Sequence, residues 1–381
     1  MLRNGVLPVL LGLCLAASAQ AQERRAFDSE RGPLQVTRVA GGLESPWGLA
    51  FLPGGQEALV AERPGRLRRV GLDGQVSAPL EGVPKVYARA QGGLLDVALS
   101  PDFEEDRLVY LTYAEQGADG KAGTAAGRAR LSADGTRLEG FEVIFRQQPK
   151  LSEGLHFGSR LVFDRDGYLF IVLGENNQRA EAQRLSSHQG SVVRLLPDGR
   201  VPEDNPFVGQ AQARPEIWAY GLRNQQGAAI DPRSGALWAT DHGPRGGDEL
   251  NILRAGVNYG WPRATHGINY SGLRIPEAEG ETVDGTQPPQ HVWKVSPGLS
   301  GMTFYDGQGI PDWRGNLFVG ALADRSLIRL ELDGDRVVHE ERLLKGLGAR
   351  IRSVVSAPDG FLYVLTDDAD GELLRLSPGG R

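Results

Sequence analysis

QGAAIDPRSGALWATDHG, residues 226–243, contains two short apolar runs separated by Asp-Pro-Arg-Ser-Gly. Apolar runs of this length bounded by Pro, Gly and Asp predict a β-hairpin. One hairpin cannot bury a core alone, so the neighbouring sequence has to supply others. Five further segments repeat the pattern of strand, Pro/Asp/Gly turn and second strand: WGLAFLPGGQEALVAE (47–62), LLDVALSPDFEEDRLVYLTY (94–113), SRLVFDRDGYLFIVLGE (159–175), LSGMTFYDGQGIPDWRGNLFVGAL (299–322) and IRSVVSAPDGFLYVLTDD (351–368). Most are followed by another strand and a glycine turn, as in GRLRRVGLDG, RARLSADG, SVVRLLPDG, SLIRLELDG and ELLRLSPGG.

Copies at intervals of about 50–75 residues leave room for four strands and variable loops in each. Six copies predict an all-β, six-bladed β-propeller of four-stranded antiparallel blades. The strand LQVTRVAG (34–41) precedes the first copy without a partner. Its pairing with the last blade would close the ring and remove an open edge. A double β-sandwich is the alternative, but sandwiches do not usually have so long an internal period.

The 381 residues include 52 glycines and 23 prolines, with 40% hydrophobic and 24% charged residues. That is the composition of a turn-rich globular chain. Residues 1–21 read as a secretory signal: Arg3 opens it, Val6 to Ala17 form the apolar stretch, and Ala19-Gln20-Ala21 the cleavage site. The expectation is a mature, single-domain chain of residues 22–381 in the periplasm or secreted, without a transmembrane segment. The only cysteine, Cys14, falls inside the signal, so the mature chain has no disulfide or thiolate metal site. A net charge of −6 without a long basic run argues against nucleic acid as partner. Nucleotide-binding GxGxxG and Walker patterns and a GxSxG nucleophile elbow are absent.

In a propeller the innermost strands line a central channel, so polar residues at equivalent places in different blades meet in space. Gln91, His156, Arg223, Asn224, the loop from Asp241 to Glu249, Arg350 and Arg352 occupy such places. His156 precedes the third hairpin and Glu175 closes it, an arrangement that lets the carboxylate orient the imidazole as a general base. The alternative is a solvated histidine at a strand start. The 241–249 turn is rich in the hard oxygen donors that suit Ca²⁺, or else is a glycine-rich turn with a solvated Asp248.

Several of these segments carry a resemblance. SPWGLAFLP (45–53), QGGLLDVALSPDF (91–103), HFGSRLVF (156–163), LLPDGRVPEDNPF (195–207), GLRNQQG (221–227), HGPRGGDELN (242–251), NYGWP (258–262) and ARIRSV (349–354) occur in the order found in the soluble aldose sugar dehydrogenases that use pyrroloquinoline quinone (PQQ) on a six-bladed propeller. The chain resembles that family over residues 35–376. The resemblance implies that His156 is the catalytic base and that the quinone is held by Gln91, Arg223, Asn224, Tyr270, Ala321, Leu322, Ala323, Arg350, Ile351 and Arg352. It implies an active-site Ca²⁺ on the main-chain oxygens of Gly243 and Pro244, and a second Ca²⁺ on Glu249 and the carbonyl of Tyr259. The implied reaction oxidises an aldose to its lactone and passes electrons to an acceptor that the sequence does not name. One position departs from the pattern: Ala323 stands where related sequences carry lysine. Arg325, two residues on, is expected on the same strand face to restore the charge.

Two other readings use the same scaffold. One is a Ca²⁺-dependent lactonase, in which carboxylates surround a central metal and no arginine cluster is needed. The other is a non-catalytic propeller that binds a glycan or protein partner through its loops.

Overall fold

A computed structural model describes residues 23–380; the signal segment 1–21, including Cys14, lies outside the described residues. The chain forms six antiparallel sheets. Their first strands are Pro46–Phe51, Leu94–Leu99, Gly158–Phe163, Gln225–Ile230, Leu299–Phe304 and Ile351–Ser356. Each of these packs against its counterpart in the next sheet, and the sixth packs against the first, so the six enclose a central channel. This is the six-bladed propeller expected from the repeats.

Ring closure also follows the expectation. Strand Leu34–Leu43 pairs with Gly371–Pro378 of the last blade, from Leu34 opposite Pro378 to Leu43 opposite Gly371. Arg24–Phe27 adds a fifth strand outside it, which sequence periodicity did not indicate. The first blade departs in the other direction. It has three full strands, and its fourth position shrinks to a single bridge between Val70 and Val76.

Apolar side chains fill the wedges between blades. Leu59, Leu67, Leu94, Val97 and Leu111 lie between the first and second, and Trp238, Leu299, Met302 and Phe304 between the fourth and fifth. Near the axis the backbones approach too closely for side chains. A Cβ on Gly227 would stand 2.3 Å from the carbonyl oxygen of Ser300. Hydroxyls span the same seams: Thr112 Oγ1 donates to the Ser159 carbonyl at 2.6 Å, and Ser300 Oγ to the Ile351 carbonyl at 2.6 Å.

One irregularity recurs in every blade. All six inner strands lose regular register with their neighbours near their N-terminal ends, at 46–48, 94–97, 158–161, 225–227, 299–302 and 351–353. Such breaks bend a strand and re-aim its side chains. Here they surround one mouth of the channel.

Candidate functional site

At that mouth lies a cavity of about 300 Å³. Four arms of the ring converge on it: Trp47 and Arg63 from the first blade, Gln91 from the loop entering the second, Asn224 and Gln226 from the fourth, and Arg350, Arg352 and Asp367 from the sixth. Phe157, His242, Leu322 and Ala323 complete most of the wall.

His156 adjoins this wall: its own N–H is bonded to Gln91, and the N–H of Gly158, two residues on, to Asn224. Its backbone adopts the left-handed conformation, with φ 52°. That is unusual for a residue with a side chain. The turn is held from both sides. The His156 N–H donates to Gln91 Oε1 at 2.8 Å, and the His156 carbonyl accepts from Asn176 Nδ2 at 2.9 Å. The imidazole Nδ1 lies 2.6 Å from Glu175 Oε2, and both side chains are almost wholly buried. A carboxylate at Nδ1 fixes the proton there and leaves the Nε2 lone pair free, which is the tautomer a general base requires. Glu175 is itself positioned: its Oε2 accepts from the Asn177 N–H at 3.0 Å, and its own N–H donates to the Arg223 carbonyl at 2.9 Å.

Asn224 and Arg223 are fixed from below. Asp241 accepts from the N–H of Arg223 at 2.8 Å and of Asn224 at 2.6 Å. Burial pushes the Asp241 carboxyl up to about 7 against those two donors. Asn224 Oδ1 in turn accepts from the Gly158 N–H at 3.1 Å, and Arg223 Nη1 reaches the carbonyls of His242 and Gly243 at 3.1 and 3.0 Å.

The opposite wall is cationic. Arg350 and Arg352 share the Asp367 carboxylate, at 2.8 and 3.2 Å. Burial raises that carboxyl, but the two guanidiniums outweigh it and hold Asp367 below the usual carboxylate range. Arg352 also donates to Gln226 Oε1 at 2.9 Å. Arg63 donates from Nη1 to the Ala90 carbonyl at 2.7 Å, while its buried Nε has no protein partner. Three guanidiniums against one carboxylate leave an excess of positive charge. His242 does not add to it, since burial lowers its pKa.

The cavity opens sideways into a groove of about 700 Å³ lined by Gly243, Pro244, Tyr270 and Val295. Tyr270 therefore stands beside the cavity and is 73% exposed. Leu322 and Ala323 line the cavity as expected, whereas Ala321 and Ile351 are fully buried in their strands and do not. The strand carrying Ala321 ends there, and residues 322–325 form a turn. Arg325 consequently does not share a strand face with Ala323. It has φ 51° and donates from Nη1 to the Gly348 carbonyl at 3.0 Å, so it does not restore the charge missing at Ala323.

Among the described residues no three His, Cys, Asp or Glu side chains cluster as a metal site. Gly243 and Pro244 offer main-chain oxygens only, and Asp248 beside them is occupied by the N–H groups of Gly243, Gly298 and Leu299. Glu249 presents a different chemistry. It sits across from Asp241 in the sheet, and burial, with Asp241 adding to it, pushes its carboxyl up to about 8. Its one protein hydrogen bond comes from Asn251 Nδ2 at 3.2 Å, and Asn251 Oδ1 is buried without a partner. A part-buried carboxylate and an unpartnered buried amide oxygen on one strand suit a hard divalent ion. Tyr259 is buried nearby in sequence, its hydroxyl donating to the Ile252 carbonyl at 2.6 Å.

Trp47, Arg63, Gln226 and Asp367 were not singled out from the sequence, whereas His242 lies in the 241–249 loop that was. None of the four belongs to a spaced pair or cluster that would mark it. The available signal was position, since all adjoin the starts of inner strands or the ends of the second strands paired with them.

The sequence profile of the Glucose / Sorbosone dehydrogenase family matches residues 43–375. The aldose sugar dehydrogenase YliI of Escherichia coli K12 is 56% identical over 336 residues, covering 88% of this chain and 91% of that one. A crystal structure of a glucose dehydrogenase superposes with TM-score 0.89 at 62% identity, covering 91% of this chain and 99% of that one. The PQQ-bound aldose sugar dehydrogenase of Streptomyces coelicolor superposes with TM-score 0.75 at 29% identity, covering 90% of this chain and 98% of that one. The chain belongs to the soluble glucose/sorbosone dehydrogenase family, a group of propeller oxidoreductases that includes the aldose sugar dehydrogenases.

Proposed function

We propose that this protein oxidises aldose sugars at the anomeric carbon to lactones, using PQQ and Ca²⁺, outside the cytoplasm. The observation that carries the reading is the buried His156–Glu175 pair beside a cavity whose far wall is an arginine cluster. The residues suit the cofactor. PQQ has three carboxylates, and Arg350, Arg352 and the free Nε of Arg63 are forked donors matched to such groups. Gln91 and Asn224 add amides on the His156 side. Ca²⁺ at Gly243 and Pro244 would depend on oxygens from the quinone, whereas Glu249 supplies a protein carboxylate for a second ion.

When bound, PQQ supplies the hydride acceptor. The protein contributes the rest. His156 Nε2 removes the proton of the anomeric hydroxyl, and Glu175 stabilises the imidazolium that forms. Arg223, already aimed at the 242–243 carbonyls, places positive charge at the edge of the reacting centre. A central carboxylate cage of the lactonase type has no counterpart among the described residues, and a purely adhesive propeller has no use for a left-handed histidine held by three side chains.

The test is product analysis. Protein loaded with PQQ and Ca²⁺ is expected to form one lactone per two electrons delivered to a dye. Lactone consumption without dye reduction would replace this reading with the hydrolase.

A further inference from the structure

A separate cavity of about 440 Å³ lies on the face where the inner strands end, opposite the reaction site. The turns after the inner strands of the third and fourth blades meet a turn of the fifth there. Of the six tryptophans, Trp47, Trp238, Trp261, Trp293 and Trp313 are buried, and Trp218 alone is part-exposed, in this cavity. An indole left at a surface cavity is an amphipathic platform for a ligand. The platform is held rigidly. Arg194, 6% exposed, packs its guanidinium carbon 3.8 Å from the centre of the Tyr168 ring and 4.8 Å from that of Trp218. Asp204 and Asn205 bind its Nη atoms at 3.1 and 3.3 Å, and both belong to the 195–207 segment, to which the reaction gives no role. The turns around the cavity are tied together: Arg165 donates to the Pro232 carbonyl, and Arg233 to the Gly334 carbonyl at 3.2 Å. Phe170, Leu237, Ile252 and Leu253 make a buried apolar floor. On the rim stand Asp166 and Arg254, exposed side chains that make no hydrogen bond or ion pair among the described residues. Unpaired charges of both signs favour neither an anion nor a cation. They offer acceptors and donors beside an aromatic and aliphatic surface, which suits a ligand with an apolar face and a hydroxyl-rich edge.

We propose that this cavity binds a neutral pyranose unit of a glycan, its ring against Trp218 and its hydroxyls bonded to Asp166 and Arg254. Because it lies on the far face, it anchors the protein to a glycan while the reaction mouth stays open. Binding here is independent of the chemistry proposed above.

Methyl α-maltoside and methyl β-cellobioside, whose blocked anomeric carbons cannot be oxidised, are titrated by calorimetry and by acrylamide quenching of tryptophan fluorescence. At least one is expected to saturate with a Kd on the order of 1 mM. It should shield Trp218 from acrylamide and bind equally at low and high salt, since the ligand is uncharged. Trp218→Ala should weaken binding about tenfold. Asp166→Ala combined with Arg254→Ala, both at exposed positions, should also cost about tenfold through lost hydrogen bonds. Trp218→Phe keeps an aromatic platform and should retain most of the affinity, which separates loss of the contact from loss of the fold. His156→Ala should bind as the wild type does, and dye reduction with glucose should be unchanged in the Trp218, Asp166 and Arg254 variants. No saturation by either glycoside overturns the proposal. So does binding that persists in Trp218→Ala or disappears in His156→Ala, which would place the sugar at the reaction mouth. Saturation by the peptide Gly-Tyr-Gly in place of both glycosides would overturn it as well.

Discussion

The two ends of the same six inner strands differ completely. At their C-terminal ends register is regular, and the second mouth of the channel is lined largely by apolar residues such as Leu49, Phe51, Leu99, Phe163, Met302 and Val354. At their N-terminal ends every strand breaks register, and the wall becomes Arg63, Gln91, Asn224, Arg350, Arg352 and Asp367. Between them lies a floor in which Arg160 pairs with Asp96 at 2.7 Å and stacks 4.2 Å from the Trp47 ring. Apolar packing dominates the regular ends, whereas at the irregular ends hydroxyl–carbonyl bonds span the seams and the register breaks re-aim polar side chains, and the chemistry collects there.

The sharpest way to break this comparison is to truncate the upper mouth at its base. His156→Ala should lower kcat about 10²- to 10⁴-fold while leaving quinone affinity nearly unchanged, as read by steady-state kinetics at saturating cofactor. Retained turnover would move the base elsewhere.

Arg352→Ala comes next. It removes a buried guanidinium, leaving Gln226 Oε1 without its donor and Asp367 with Arg350 alone. Quinone binding should weaken by about 2–5 kcal/mol, the usual cost of truncating one member of a buried charge pair. Arg350→Ala should cost less, because its side chain is 43% exposed and exposed charges are screened by solvent. Equal losses for both would contradict the difference in burial.

A third effect depends on pH. Asp241 and Glu249 have folded-state pKa values of about 7 and 8, raised above those of free carboxylates. Their neutral forms favour folding, a contribution that is complete below the pKa of a free carboxylate and is lost as pH rises toward the folded values. In chelator, stability should therefore fall between about pH 5 and 8, on the order of a few kcal/mol. Glu249→Gln should flatten the slope, and Ca²⁺ should raise the melting temperature of the wild type more at pH 8 than at pH 5. A pH-independent melting temperature in chelator would contradict this account of the Glu249 site.

The smallest effect belongs to the lower mouth. Met302 packs in an apolar wall. Met302→Leu conserves volume there and should cost less than about 1.5 kcal/mol of stability, with activity unchanged. A large catalytic loss would mean that the two mouths are not separate.

The lower half of this picture was the more legible in sequence. Alternating apolar runs and Asp-Gly turns report hairpins directly, and the unpartnered strand before the first copy implied its place beside the last. His156 and Glu175 were legible for the same reason, since a hairpin brings its ends together. What the sequence hid was the irregular part. Register breaks have no fixed residue signature, so nothing in GALADRS showed that the strand stops at Ala321 and turns Arg325 away toward Gly348. Asp367 was hidden because its role comes from two arginines fifteen and seventeen residues away, across a hairpin.

The central claim is that the upper mouth, and not the lower, holds the quinone. Calorimetric titration of PQQ into the protein in Ca²⁺ buffer tests it most directly. One site per chain is expected, strongly weakened by Arg352→Ala and untouched by Met302→Leu. No saturable binding, or binding indifferent to Arg352, would contradict it.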